Sequence, residues 1–141
     1  MSRRGEEMAA RAKGLIGTRF RPQGRDPGYG LDCVGTAAAA AGVPADQVRN
    51  DYVLRGQRLA DIEHGLCDQG WRPVPGNRIS PGDILVCQVG PAHFHMGVAT
   101  STGFVHADAG LRKVVERPWP VPWPLTGIWR LAAGEDDGWE D

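Results

Sequence analysis

The run Thr-Ala-Ala-Ala-Ala-Ala at 36–41 is the strongest helix-forming stretch of the chain. It follows a loop that contains Gly28 and Gly30, so Cys33 falls where a loop turns into a helix. At a helix N-terminus, unpaired backbone N–H groups and the positive end of the dipole favour the reactive thiolate. The helix carries almost no polar residue, so we expect it to be buried and central. A free cysteine is more often a small buried hydrophobe, so this position alone leaves both roles open for Cys33.

The composition is that of one ordinary globular domain of 141 residues. We expect a single domain at 1–133 and an acidic, flexible tail at 134–141. The formal net charge of −1 gives no reason to expect a nucleic-acid partner. No apolar run is long enough to span a bilayer. The charged N-terminus is not followed by an apolar signal core, so we expect synthesis in the cytoplasm without a signal peptide.

The three cysteines are widely spaced and form no CxxC pair, which argues against a zinc ribbon or a disulfide framework. Besides Cys33, we interpret Cys67 as a packing residue beside a helix face. Cys87 falls within a predicted strand and is interpreted as a core residue.

The order of predicted elements indicates an α+β fold. Hydrophobic periodicity and stop signals predict helices at 5–16, 33–41 and 56–68, the first with Met8, Ala9, Ala12, Leu15 and Ile16 on one face. A loop is predicted at 18–32 and a short extended piece at 71–74. Runs rich in Val, Ile and aromatic residues predict strands at 84–89, 94–100, 103–107, 113–117 and 127–131. Helices followed by closely connected strands imply an antiparallel sheet.

The proline-rich segment 118–124, Pro-Trp-Pro-Val-Pro-Trp-Pro, cannot be a central strand because proline removes ladder donors. We expect an extended connector, whose two tryptophans either pack on the body of the protein or line a groove.

Two histidines are predicted to face each other across a hairpin. Ser101 and Thr102 separate two strands, and a two-residue loop there would pair Thr100 with Gly103 and then Gly97 with His106. Because side chains alternate between faces, His95 and His106 become diagonal neighbours on one face. A three-residue loop would reverse this parity.

Histidines that share one face of a sheet are compatible with two kinds of site. One imidazole could be a general base beside a nucleophile, with the other orienting it, and alternation does not choose between His93 and His95 for the base. Alternatively, His93, His95 and His106 could supply three nitrogens to a metal, with Asp108 as a nearby carboxylate.

Four segments of the chain, in this order, carry a family resemblance. They are Leu15-Ile16-Gly17-Thr18-Arg19-Phe20, Leu31-Asp32-Cys33-Val34-Gly35, Ser80-Pro81-Gly82-Asp83-Ile84-Leu85, and the pair His95-Met96-Gly97-Val98-Ala99 and Gly103-Phe104-Val105-His106-Ala107. With them the chain resembles, over about residues 8–131, the NlpC-type cell-wall peptidases, which are papain-like cysteine peptidases. It looks most like the compact peptidases of phage tails and gene transfer agents.

The resemblance implies a nucleophile at the start of a helix that packs on an antiparallel sheet. It implies Cys33 as nucleophile, His95 as base and His106 as the orienting residue, with no cofactor and no metal. Its substrates would be peptidoglycan stem peptides, commonly cut between D-glutamate and a diamino acid.

The chain departs from the family at Phe20, where a tyrosine usually helps to stabilise the oxyanion. Loss of one such donor typically costs about 100-fold in rate. The oxyanion would then rest on backbone N–H groups near Cys33 or on another donor such as Arg21 or Tyr29. Asp32 is carried with the motif as a residue that holds the loop. Val34 stands in the place of the usual serine.

A phage-like origin would make tail proteins further partners, and would bring the protein to the cell wall by release or on a particle. The alternative that we keep beside the enzyme is a tail module that retains the fold without the activity, which Phe20 favours.

Overall fold

The computed structural model describes residues 3–47, 54 and 56–131. The helices are α1 (Arg3–Gly14), α2 (Cys33–Ala40) and α3 (Leu59–Asp68), with a short 3-10 helix at Ala45–Gln47. The strands are β1 (Arg25–Asp26), β2 (Gly30–Leu31), β3 (Trp71–Pro73), β4 (Ile84–Gly90), β5 (His93–Ala99), β6 (Gly103–Asp108), β7 (Lys113–Pro118) and β8 (Leu125–Leu131). None of the helices in these ranges is long and apolar enough to cross a membrane.

Six strands form one antiparallel sheet in the order β3-β8-β4-β5-β6-β7. This arrangement confirms the predicted α+β class. The last strand, β8, returns to lie between β3 and β4, which the order of elements in the sequence does not reveal. β1 and β2 form a separate two-stranded sheet inside the segment that was predicted as a plain loop at 18–32.

The two faces of the large sheet are covered differently. On one face, Met96, Val98 and Val105 pack with α1, α2 and α3 in the main core. On the other face, Leu85 and Phe104 lie in a smaller cluster with Cys87 and Ile128, and Trp119, Val121 and Trp123 pack against it. The segment 118–124 therefore packs on the body of the protein, and it forms no central strand, as predicted.

A buried ion pair ties the start of β4 to β8. The Asp83 side chain is fully buried and accepts hydrogen bonds from Arg130 Nε at 2.8 Å and Nη2 at 2.9 Å. Its Oδ2 also accepts the Ser80 backbone N–H at 2.8 Å, within the Ser-Pro-Gly-Asp turn. This network fixes the strand that returns into the middle of the sheet.

Several predicted boundaries and burials are wrong in detail. α1 ends at Gly14 rather than 16, so Leu15 and Ile16 leave the helix and Ile16 is exposed rather than on its buried face. α3 begins at Leu59 rather than 56. Cys67 is exposed, and therefore is not a packing residue, whereas Cys87 is buried as predicted. The predicted tail at 134–141 and the end of the predicted domain lie outside the described residues.

Candidate active site

Asp32 begins the helix that carries Cys33. It is the N-cap residue of α2, with extended backbone, and its Oδ1 accepts the Gly35 backbone N–H at 2.8 Å. The same oxygen receives Arg25 Nη1 at 2.6 Å, and both side chains are almost fully buried. A short acidic residue at this position satisfies one of the free N–H groups of the first turn. The cap and the ion pair together fix where the helix, and hence Cys33, starts.

Gly35 lets the loop before the helix lie directly against α2. A side-chain carbon at Gly35 would collide with the backbone carbonyl of Gly24, and the nearest side chain is that of Leu31. The glycine two residues after Cys33 is therefore required by a close backbone approach. It holds the loop of β1 and β2 against the start of α2.

The thiol of Cys33 lies near the place where β5 and β6 separate. These two strands pair through Val98–Val105 and Ala99–Phe104, and the described ladder does not continue towards the histidines. The backbone N–H groups of Met96 and Val34 lower the pKa of Cys33, so the sulfur lies near the residue that follows His95.

Cys33 is only half-buried by solvent exposure, yet its surroundings favour the protonated thiol and oppose the helix dipole. Burial, followed by the negative charge of Asp32, raises the pKa of Cys33 to about 12. The Met96 N–H, the Arg25 charge and the Val34 N–H oppose this rise in pKa but are weaker. Desolvation of the charged form thus outweighs the helix terminus. Burial and the capping carboxylate both act against the helix dipole.

The predicted histidine pair is present. Val98 pairs with Val105, and the Thr100 N–H donates to the Gly103 carbonyl at 2.8 Å, which is the register of a two-residue loop. His95 Nε2 lies 2.8 Å from His106 Nδ1, and the ring centroids are 5.0 Å apart at 85°.

Both histidines are neutral at neutral pH. Burial, assisted by the nearby His106 and His93 charges, lowers the pKa of His95 to about 4, with Asp108 opposing. Burial also lowers the pKa of His106; Asp108 opposes the shift and Arg117 adds to it. The site at rest therefore holds a neutral thiol and a neutral imidazole pair.

The thiol and the histidine pair lie on opposite faces of the sheet. Cys33 packs against the helix-side core, whereas His95 alternates with Phe94 and Met96 and so faces the other side. No hydrogen bond joins Cys33 to His95 in the described part of the chain. The structure thus brings His95 and His106 together directly, and places Cys33 beside the backbone of Met96.

The other predicted candidates lie in different surroundings. Phe20 packs against the main core, and it has no polar atom to offer an oxyanion. Arg21 and Tyr29 line an open cleft of about 940 Å³ between the β1–β2 loop and the 3-10 helix, and none of its lining residues is Cys33 or His95. His93 is half-buried on β5, close enough to His95 to influence its charge.

The metal alternative finds no support in the side-chain arrangement. Within residues 3–47, 54 and 56–131, no group of three or more His, Cys, Asp or Glu side chains is placed to hold a metal ion. His93, His95, His106 and Asp108 therefore do not form the ligand set that the sequence allowed.

Three neighbours of the site were missed from the sequence. Arg25, in the predicted loop, pairs with Asp32. Cys87 lies directly opposite His95 in the β4–β5 ladder. Trp123 contacts both rings, with centroids 5.6 Å from His95 and 5.7 Å from His106. Of these three residues, only Trp123 could be anticipated from the sequence, because the tryptophans of 118–124 were expected either to pack on the body of the protein or to line a groove.

Comparison with solved structures identifies the architecture. The structure of NlpC1 from Trichomonas vaginalis aligns with a TM-score of 0.64 and 23% identity, over 89% of this chain and 44% of that one. RipB, a peptidoglycan hydrolase from Mycobacterium tuberculosis, aligns with a TM-score of 0.61 and 19% identity, over 92% of this chain and 66% of RipB. The NlpC/p60 domain of the peptidoglycan hydrolase SagA aligns with a TM-score of 0.51 and 24% identity, over 81% of this chain and 88% of that domain.

This is the NlpC/p60 fold. The chain spans less than half the length of the NlpC1 structure that it matches. No protein-family model and no curated protein matches the sequence.

Proposed function

We propose that this protein is a cysteine-type hydrolase that cuts the peptide stems of peptidoglycan. The observation that carries the proposal is the 2.8 Å contact between His95 and His106, on an NlpC/p60 fold that also carries a cysteine at a helix start. A nucleophile, a base and a third group that orients the base are the recurring parts of such sites. Two of the structural neighbours, RipB and SagA, are named peptidoglycan hydrolases, which supports the substrate class.

The reaction starts from neutral groups. As the Cys33 sulfur attacks the amide carbonyl, the free ring nitrogen of His95, Nδ1, takes the thiol proton. The C–N bond then breaks, and His95 returns the proton to the leaving amine, which leaves a thioester on Cys33. Water, deprotonated by the same nitrogen, hydrolyses the thioester and regenerates the thiol. The pKa of His95, about 4, leaves the ring unprotonated at neutral pH but makes it a weak base, so it takes the thiol proton only as the sulfur attacks.

The backbone is the proposed donor to the oxyanion. The N–H groups of Val34 and Met96 already interact with the Cys33 sulfur, so they border the position where the carbonyl oxygen would develop charge. Phe20 cannot replace the family's usual tyrosine in this role, and Arg21 and Tyr29 line the cleft described above.

The bond and the setting are extrapolated from the family resemblance. We propose cleavage between D-glutamate and the diamino acid of the stem, by a protein made in the cytoplasm. It would reach the wall on release, or with a phage-like particle or gene transfer agent whose tail proteins would be its partners.

Digestion of defined muropeptides, followed by mass analysis of the products, tests both the activity and the bond. We expect two fragments whose summed mass exceeds that of the substrate by one water, separated between D-glutamate and the diamino acid. Cleavage at another stem bond would retain the hydrolase and overturn the bond assignment. An uncut set of stems would overturn the hydrolase.

A second candidate is a binding module with this fold and no activity. The raised pKa of Cys33, about 12, and the missing Cys33–His95 hydrogen bond favour it. It predicts that muropeptides bind in a calorimetric titration and remain intact. Turnover would exclude it.

A further inference from the structure

The second ring nitrogen of His106 has no hydrogen-bond partner although it is buried. Only 2% of His106 is exposed, and its Nδ1 is occupied by His95, yet Nε2 meets no donor or acceptor within the described residues. A buried polar atom without a partner costs free energy, so the surroundings of Nε2 decide which protonation form of the ring is tolerated.

Those surroundings are aromatic. The Trp123 ring lies 5.7 Å from His106 at 75° and 5.6 Å from His95 at 81°, so its plane is nearly perpendicular to both. Phe104 lies 5.2 Å from His106 at 34°. A perpendicular arrangement allows an imidazole N–H to point at the electron-rich face of an indole, whereas a ring lone pair gains nothing from that face.

The indole also contacts a cation. The Arg117 guanidinium lies over the Trp123 ring, 5.3 Å from the centroid, in a cation–π contact. Trp123 belongs to the cluster on the sheet face opposite the helices, where it packs with Phe104 and Trp119. It therefore covers the histidine pair on the side that Cys33 does not approach.

We propose that Trp123 is a positioning residue of the histidine pair, whose indole stabilises the His106 tautomer that is protonated at Nε2. In that tautomer His106 Nδ1 is an acceptor, so His95 must donate its Nε2 proton to it. His95 Nδ1 is then unprotonated and is the nitrogen that can take the thiol proton. The opposite tautomer of His106 would donate to His95 and place the His95 proton on Nδ1, which removes the base.

The charged and titratable groups around the pair set its pH behaviour. His93 and Asp108 lie on the same two strands, Arg117 on β7, and Cys87 opposite His95 on β4. Trp123 adds burial to this set, which favours the neutral rings. Its loss should therefore both mix the tautomers and raise the pKa values of the two histidines.

Nitrogen-15 NMR of the imidazoles in the full chain reads the tautomers without a substrate. We expect the wild type at neutral pH to show protonation at Nε2 of both His95 and His106. Trp123→Ala should give mixed tautomers and higher pKa values, and Trp123→Phe should restore part of the wild-type pattern. Trp119→Ala is the matched control, because the Trp119 ring lies 6.0 Å from Phe104 and contacts neither histidine ring. It should leave the tautomers and the pKa values of both histidines unchanged.

The expected effects of Trp123 on catalysis rest on the proposed hydrolase function. With muropeptides, Trp123→Ala should lower kcat rather than raise KM, and should move the acid limb of the pH profile to higher pH. A wild-type His106 protonated at Nδ1 would overturn the proposal. So would an unchanged NMR pattern in Trp123→Ala. Failure to cut muropeptides would instead count against the proposed function and leave the tautomer result standing.

Discussion

Asp32 acts on Cys33 in two opposing ways. As the N-cap it fixes the start of the helix, and with Arg25 it forms a nearly buried ion pair. Its negative charge also lies next to the thiol and is, after burial, the largest contribution to the raised pKa of Cys33. The residue that places Cys33 at the start of the helix therefore also raises the pKa of its thiol.

Replacing this carboxylate should make the thiol more reactive. Asp32→Asn keeps a side chain that can cap the helix but removes the charge, so the pKa of Cys33 should fall below about 12. The measurement is the rate of iodoacetamide alkylation at neutral pH, resolved by peptide mass mapping. Exposed Cys67 serves as the reference thiol within the same molecule.

In the wild type, Cys33 should be alkylated more slowly than Cys67. Asp32→Asn should reduce the difference between these two alkylation rates. Asp26→Asn, on the neighbouring strand β1, is the control and should not change the difference between the two alkylation rates. A wild-type Cys33 that reacts faster than Cys67 would contradict the protonated thiol.

His95 should make the stability of the protein depend on pH. Its pKa is about 4 in the folded protein, against about 6.5 in an unfolded chain. Between these values the unfolded state binds a proton that the folded state does not, so stability is lost as the pH falls. Across this pH range, His95 should lower the free energy of unfolding by on the order of 3 kcal/mol.

Denaturant unfolding at a series of pH values checks this. His95→Gln should lose less free energy of unfolding than the wild type between about pH 6.5 and pH 4. His64→Gln, at an exposed position on α3, should follow the wild type. Equal losses in His95→Gln and wild type would show that His95 titrates normally in the folded state.

At the scale of elements, local rules predicted the hairpin and the antiparallel sheet but not the order of the strands in that sheet. The two-residue Ser101-Thr102 loop and strict alternation were enough to place His95 beside His106, because both depend only on residues close in the sequence. The return of β8 between β3 and β4 depends on long-range pairing, which no local pattern carries. β1 and β2 are two residues each, too short for a periodic signal.

The ion pair between Asp83 and Arg130 should stabilise that return of β8. Asp83→Asn leaves the Arg130 charge without its carboxylate next to a fully buried site, so we expect a loss of about 3 kcal/mol. Asp61→Asn makes the same chemical change in an exposed pair with Arg58 and should cost less than about 1 kcal/mol. Chemical denaturation measures both. Equal, small losses would mean that the buried pair does not hold the strand.

At the scale of the whole molecule, the proposed site draws on both faces of one sheet. The helix side contributes Cys33, and the opposite side contributes the histidine pair under Trp123, near the place where β5 and β6 separate. Motifs in sequence order predicted that Cys33, His95 and His106 share a site, and of these the structure joins His95 and His106 directly. The protonation of Cys33 could not be predicted this way, because it depends on burial by residues distant in the chain.

The rate of muropeptide cleavage by Cys33→Ala tests the central claim most directly. Cys67→Ala is the matched control, since it makes the same substitution at an exposed cysteine outside the site. We predict that Cys67→Ala cuts at the wild-type rate, whereas Cys33→Ala loses cleavage but keeps the wild-type circular dichroism and unfolding curve. Cleavage by Cys33→Ala at the wild-type rate would contradict the account.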